Sequence, residues 1–141
     1  MALAANLTPA VVDALYRPRG RPLALAGRSR CGKTTLLREA VRRAGRQTVW
    51  CSAFDLANEL VEAIWGGVRQ TYSAAVVGDP RPLCVEHLED LRENPRTREE
   101  LRRLLKRAAP HRPVLLTVTR TRGDAEILRW LRCWAELRWL D

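Results

Sequence analysis

Residues 22–45 read PLALAGRSRCGKTTLLREAVRRAG, and no other stretch limits the possible folds of this chain as strongly. The apolar run from Pro22 to Ala26 has the length of a strand buried on both faces, and it stops at Gly27. After four further residues come Gly32, Lys33 and Thr34, and the sequence then continues as a helix that Gly45 can cap. A strand, a glycine loop and a helix in this order form a unit that has to be completed by further parallel strands with helices packed on them.

The rest of the sequence keeps that rhythm. "TVWCS" reads as a second strand, followed by a helix over about 55–64 that Gly66 and Gly67 end, and a shorter helix over 68–77. "GDPRP" turns the chain into a third strand, "LCVE". Thr97 and Glu100 form a capping box that opens a helix to about Ala109, and Pro110 and Pro113 bracket the turn into a fourth strand, "VLLTVT". A final amphipathic helix is expected from about Asp124 through "AEILRWLRCWAEL", and an N-terminal helix over "TPAVVDALY" with Pro9 in its first turn.

At 141 residues the chain has the size of one domain, spanning 1–141, and its 46% hydrophobic content excludes the disordered class. No apolar run approaches the roughly 18 residues of a membrane span, and the start lacks a secretory signal, so a cytoplasmic protein with no membrane partner is expected. Cys31, Cys51, Cys84 and Cys133 lie far apart with no histidine at ligand spacing, which argues for buried thiols over a zinc site or a disulfide framework. The net charge of +9 suits an anionic partner such as nucleic acid, but its even spread along the chain suits a solvated basic surface equally well.

The loop carries the chemistry. Gly27, Arg28, Ser29, Arg30, Cys31, Gly32, Lys33, Thr34 and Thr35 have the Walker A spacing, in which backbone N–H groups curl round phosphates. Lys33 would neutralise the β and γ phosphates of a nucleotide, the helix N-terminus adds partial positive charge, and the Thr34 hydroxyl would ligate Mg²⁺. The partner carboxylate is expected at the tip of another strand, and "LCVEHLEDL" supplies it. Glu86 stands in the metal-side place and His87 in the water-activating place, with Glu89 and Asp90 as alternative carboxylates one turn on; a plain polar strand end is the other reading.

Taken in order, "RPLALAGRSRCGKTTLLREAV", "SAFDLANELVEAI", "LCVEHLEDLRENPRTREELRRLLKRA" and "PVLLTVTR" resemble the ATPase core of the bacterial replication initiator DnaA, an AAA+ protein, from about Asn6 to the C-terminus. The resemblance implies an α/β P-loop NTPase of AAA+ type, with five parallel strands in the order 5-1-4-3-2 flanked by helices, and ATP with Mg²⁺ as ligands. It places Thr119 in the sensor 1 position beside the γ-phosphate, with Thr117 and Arg120 nearby. It implies self-assembly or association with a full-length initiator in replication initiation or its control.

The chain departs from the family at several positions. Glu86 and His87 replace two adjacent aspartates, so hydrolysis is expected to be slow or absent. Trp134 occupies the arginine-finger position, between Arg132 and Arg138. The sequence ends at Asp141, before a helical lid or a helix-turn-helix domain. The segment "IWGGVRQTYSAAVVG", basic in the family and in contact there with single-stranded DNA, keeps only Arg69. Arg98, Arg102, Arg103, Lys106 and Arg107 give one helix a basic face, expected to be solvated. Trp130, Trp134 and Trp139 read as core residues of the terminal helix or as cover for a surface a lid would use. The alternative to an ATP-dependent switch is an interaction module that retains its P-loop.

Overall fold

The computed structural model describes residues 2–120 and 125–140, with side chains from residue 7 onward. Its organising element is β1 (Leu23–Gly27), all five residues of which are buried. Leu23 and Leu25 join the core on one face of the sheet, whereas Ala24 and Ala26 join the core on the other. That alternation follows from the two-residue period of a strand. On the Leu23 face lie α1 (Ala2–Tyr16) and α2 (Lys33–Ala44), packed on each other, with α2 also against β1. The opposite face is covered by α3 (Ala53–Trp65), α5 (Pro95–Ala108) and α6 (Ala125–Arg132), with α4 (Arg69–Gly78) set against α3 and α5.

The sheet is completed by β2 (Val49–Ser52), β3 (Leu83–Glu86), β4 (Val114–Thr119) and β5 (Glu136–Trp139). All pairings are parallel, in the order β2-β3-β4-β1-β5, which is the expected 5-1-4-3-2 read from the other edge. No helix is long and apolar enough to cross a membrane among the described residues.

The first four strands fall where the apolar runs put them. The differences lie at helix ends. α3 begins at Ala53, two residues ahead of the expected start, because the Ser52 hydroxyl caps it by accepting the Asp55 N–H at 3.0 Å. α5 begins at Pro95, and the Thr97–Glu100 capping box is not its start. Proline at the first helical position has its fixed φ already set and no N–H to leave unpaired, so it opens the helix earlier. α1 reaches back to Ala2, so Pro9 lies inside it and costs one intrahelical bond, against the expectation of a first-turn proline.

The largest correction concerns the C-terminal segment. The expected start of the last helix at Asp124 lies outside the described residues, and the helix ends at Arg132 instead of running through "CWAEL". The Ala135 N–H bonds back to the Leu131 carbonyl at 2.8 Å, the Glu136 N–H reaches the Pro22 carbonyl at 2.9 Å, and residues 136–139 pair with β1. β1 has a second edge whose buried N–H and C=O groups need partners, and Leu137 and Trp139, two residues apart, pack on the core from a strand. The turn buries Trp134 to 3% exposure, with its ring edge-on to Trp130 at 5.1 Å. Trp134 is therefore a core residue.

Two further expectations change with packing. Arg98 does not belong to a solvated basic face: it is 4% exposed, donates to Glu126 Oε1 at 2.9 Å and stacks over Trp130 at 5.6 Å, tying α5 to α6. Cys133 is exposed, whereas Cys84 is buried and Cys31 and Cys51 are half-buried.

Because Trp134 fills the core and its indole N–H has no partner there, Trp134→Ala is expected to destabilise the fold by about 3–5 kcal/mol. Trp134→Phe, which keeps a ring and removes the orphaned donor, should cost under about 1.5 kcal/mol. Urea unfolding of both variants checks this, and equal small effects would place Trp134 outside the core.

Candidate functional site

The loop that leaves β1 is shaped by its own backbone. Arg30 and Gly32 take left-handed conformations, with φ of 63° and 100°, and the Cys31 N–H returns to the Arg28 carbonyl at 3.2 Å. Gly32 then caps α2, its carbonyl accepting the Leu36 N–H at 2.8 Å. A side chain at Gly32 would be strained by that φ alone. Lys33, the first residue of α2, is buried and turns its ammonium back into the loop. Its Nζ donates to the Gly27 carbonyl at 3.0 Å and the Arg28 carbonyl at 2.7 Å, and lies 3.5 Å from Cys31 Sγ.

Thr34, one residue on, donates its hydroxyl to Glu86 Oε1 at 3.1 Å. Glu86 comes from the end of β3, opposite Ser52 of β2, so the contact ties the end of β3 to the start of α2. His87 follows at once with φ 64° and ψ 53°, another left-handed non-glycine residue. Its N–H donates to Thr117 Oγ1 at 3.1 Å, and its ring Nδ1 lies 3.0 Å from Glu89 Oε2. Glu89, buried in the 3-10 turn Leu88–Leu91, accepts the Thr119 N–H on its other oxygen at 2.8 Å.

Thr119 is opposite Gly27 in the β1–β4 register, and the Arg120 N–H adds a bond to the Gly27 carbonyl at 2.8 Å. The result is a cleft of about 350 Å³ lined by Ser29, Arg30, Gly32, Lys33, Thr34, Thr35, His87 and Thr119. Gly27, Arg28 and Cys31 frame it through the contacts of Lys33, and Glu86 through Thr34. The structure thus gathers residues 27–35, Glu86, His87 and Thr119 at the C-terminal ends of β1, β3 and β4. Ligands of open α/β sheets bind outside such strand ends.

Other candidates lie elsewhere. Arg132 and Arg120 sit over the Trp139 ring, at 6.0 and 5.5 Å, and Arg138 pairs with Glu136 at 2.9 Å. Arg69 is paired with Glu100. Asp90 makes no contact with the cleft through its side chain, its N–H bonding to the His87 carbonyl at 3.1 Å. The residue whose role the sequence did not reveal is Glu89. Read there as a spare metal ligand, it instead holds the His87 ring and the Thr119 backbone together, a link that only the fold of β4 beside β3 creates.

The sheet order and the strand–loop–helix cradle define the fold as that of AAA+ P-loop NTPases. AMPPCP-bound DnaA from Aquifex aeolicus superposes with a TM-score of 0.70 at 18% identity, over 98% of this chain and 45% of that one. Domain III of the DnaA replication initiation protein from Thermotoga maritima gives 0.69 at 14% identity, over 97% of this chain and 62% of that one. The DnaC helicase loader gives 0.67 at 17% identity, over 95% and 86% of the two chains. The chain spans less than half of the initiator structure from Aquifex aeolicus. No protein-family model matches the chain, and no curated protein matches it in sequence.

The thiols provide a check on the geometry around the cleft. Burial pushes Cys84 up to about 12, with the nearby Glu86 carboxylate adding to it, and burial with Glu59 and Asp55 pushes Cys51 up to about 11. Both are raised, so both are protonated and unreactive at pH 8, where only the thiolate attacks. Thiol labelling of the native protein at pH 8 should therefore modify exposed Cys133 first and half-buried Cys31 next, leaving Cys51 and Cys84 until the chain is unfolded.

Proposed function

We propose that the protein is an ATP-binding AAA+ core of replication-initiator type, a nucleotide-dependent switch in DNA replication initiation or its control that hydrolyses ATP slowly at most. The observation that carries this reading is the hydrogen bond between Thr34 Oγ1 and Glu86 Oε1 at 3.1 Å, one residue from the loop-bound ammonium of Lys33. Three groups suited to a nucleoside triphosphate, two from the start of α2 and one from the end of β3, meet at one cleft.

In this reading the loop backbone from Gly27 to Thr35 surrounds the phosphates, and Lys33 exchanges carbonyl partners for phosphate oxygens. The Thr34 hydroxyl and the Glu86 carboxylate suit a magnesium ion. Among the described residues no cluster of three acidic, histidine or cysteine side chains could hold a metal alone, in keeping with an ion that shares its shell with phosphates and water. Magnesium would supply charge neutralisation at the β and γ phosphates. His87 and Thr119 line the cleft where an attacking water would be held, and an imidazole in place of a carboxylate supports slow turnover.

Adenine and the replication role are supported by the structural neighbours, one of which is an initiator DnaA bound to AMPPCP and single-stranded DNA. The partners proposed are further copies of the chain or a full-length initiator, in the cytoplasm. DNA contact through the segment after α3 has thin support, because Arg69 is already paired with Glu100. A second reading, an interaction module with a retained P-loop, is favoured by the Lys33 ammonium, which has two loop carbonyls already and must give them up for a ligand.

Calorimetry separates the two. A hydrogen bond to a charged group contributes about 1.5–3 kcal/mol, so Lys33→Ala should weaken ATP·Mg²⁺ binding by about tenfold or more while the variant melts as a folded protein. Unchanged affinity in Lys33→Ala sinks the nucleotide reading, and no binding by the wild type leaves the interaction module.

A further inference from the structure

We propose that Glu89 is a positioning residue for ATP hydrolysis, orienting His87 as the general base, an inference that rests on the nucleotide reading above. Glu89 Oε2 lies 3.0 Å from His87 Nδ1. A buried carboxylate at that distance keeps the proton on Nδ1 and leaves the lone pair on Nε2. Glu89 cannot swing freely, because Oε1 accepts the Thr119 N–H at 2.8 Å and the residue is 8% exposed. The ring cannot drift with its backbone, because the His87 N–H is held by Thr117 Oγ1 at 3.1 Å in a left-handed conformation. Among the described residues Nε2 has no hydrogen-bond partner, and the His87 side chain, 52% exposed, lines the cleft with Lys33, Thr34 and Thr119.

The step balances without a further reactant. Nε2 takes a proton from water as the water oxygen bonds to the γ-phosphorus. The bond from that phosphorus to the β–γ bridging oxygen breaks, and its electron pair leaves on ADP. The imidazolium, stabilised by the Glu89 carboxylate, then releases its proton to solvent. Among the described residues, the charged groups near the ring are Glu89 on its own turn, Glu86 at the end of β3, Lys33 on α2 and Arg30 on the loop, while β4 presents the uncharged Thr117 and Thr119.

Glu89 could instead tie β3 to β4 and nothing more, and Glu89→Gln distinguishes the two roles. Its amide oxygen can still accept the Thr119 N–H, but its NH₂ would donate to Nδ1 and force the ring proton onto Nε2. Single-turnover ATP hydrolysis is measured on the wild type, Glu89→Gln, His87→Ala and the double variant, alongside AMPPCP affinity and melting temperature.

His87→Ala should lose about a hundredfold in rate. Glu89→Gln should lose about tenfold or more in rate with AMPPCP affinity within about twofold, and should cost nothing further in the His87→Ala background, because it acts through that ring. No measurable turnover, a Glu89→Gln rate that matches the wild type, or an equal loss from Glu89→Gln in both backgrounds overturns the proposal. If Glu89→Gln does not fold, His87→Ala decides, since an unchanged rate there overturns it equally. Failure of the nucleotide reading would show separately, as absence of AMPPCP binding to the wild type.

Discussion

The parallel pairing of β1 with β4 is the constraint on which the rest of the molecule depends. It sets Gly27 opposite Thr119 and Leu25 opposite Thr117, so the loop that leaves β1 and the polar end of β4 finish at the same level. Because β4 lies between β1 and β3, the end of β3 reaches the cleft across it, and Glu86 meets Thr34 although 52 residues separate them. A sheet in sequential strand order would place β2 beside β1, and neither the Thr34–Glu86 contact nor the His87–Thr117 bond would form. The cleft is thus a property of strand order before it is a property of any side chain.

The strand–loop–helix unit was legible because each of its parts is local: an apolar run, two glycines and a lysine at fixed spacing. Glu86 was legible for the same reason, as an acid ending an apolar strand. The β5 strand was not, because "AEILRWLRCWAELRW" has a helical apolar pattern that continues past Arg132. What stops the helix is the second edge of β1, whose backbone groups pair with residues 136–139, and local sequence carries no trace of that demand. Glu89 escaped for a related reason. Its partners are an imidazole two residues away, across a 3-10 turn, and a backbone N–H thirty residues on, so its role exists only once β3 and β4 are side by side.

The basic composition also takes a different meaning in three dimensions. Arg42 and Arg43 converge on Glu39 and hold its carboxyl down to about 2, Arg102 pairs with Glu99, Arg81 with Asp79, and Arg98 and Arg112 are buried. Arg112 donates to the Arg81 and Val76 carbonyls at 2.7 and 2.8 Å, fastening the turn after α4 to the sheet. Exposed pairs of this kind contribute little to stability, but they spread the +9 charge over the surface instead of gathering it into one stripe. Arginine count is therefore a poor guide to a nucleic-acid surface in this chain, where Arg98 and Arg112 serve packing and several others sit in surface pairs.

Backbone strain marks the cleft independently of the motif. Among the described residues, the non-glycine positions with positive φ are Arg30 and His87, and both line the same cleft from opposite sides. A left-handed conformation costs an ordinary residue about 1–2 kcal/mol, so it persists only where surrounding contacts over-determine it. At His87 those contacts are the Thr117 hydroxyl and the Glu89 carboxylate. Packing alone would be satisfied by glycine at the end of β3, as it is at Gly45 after α2, where φ is 66° and no side chain is present. An imidazole at a strained position, its backbone held by Thr117 and its ring by Glu89, fits the role proposed for it in the cleft.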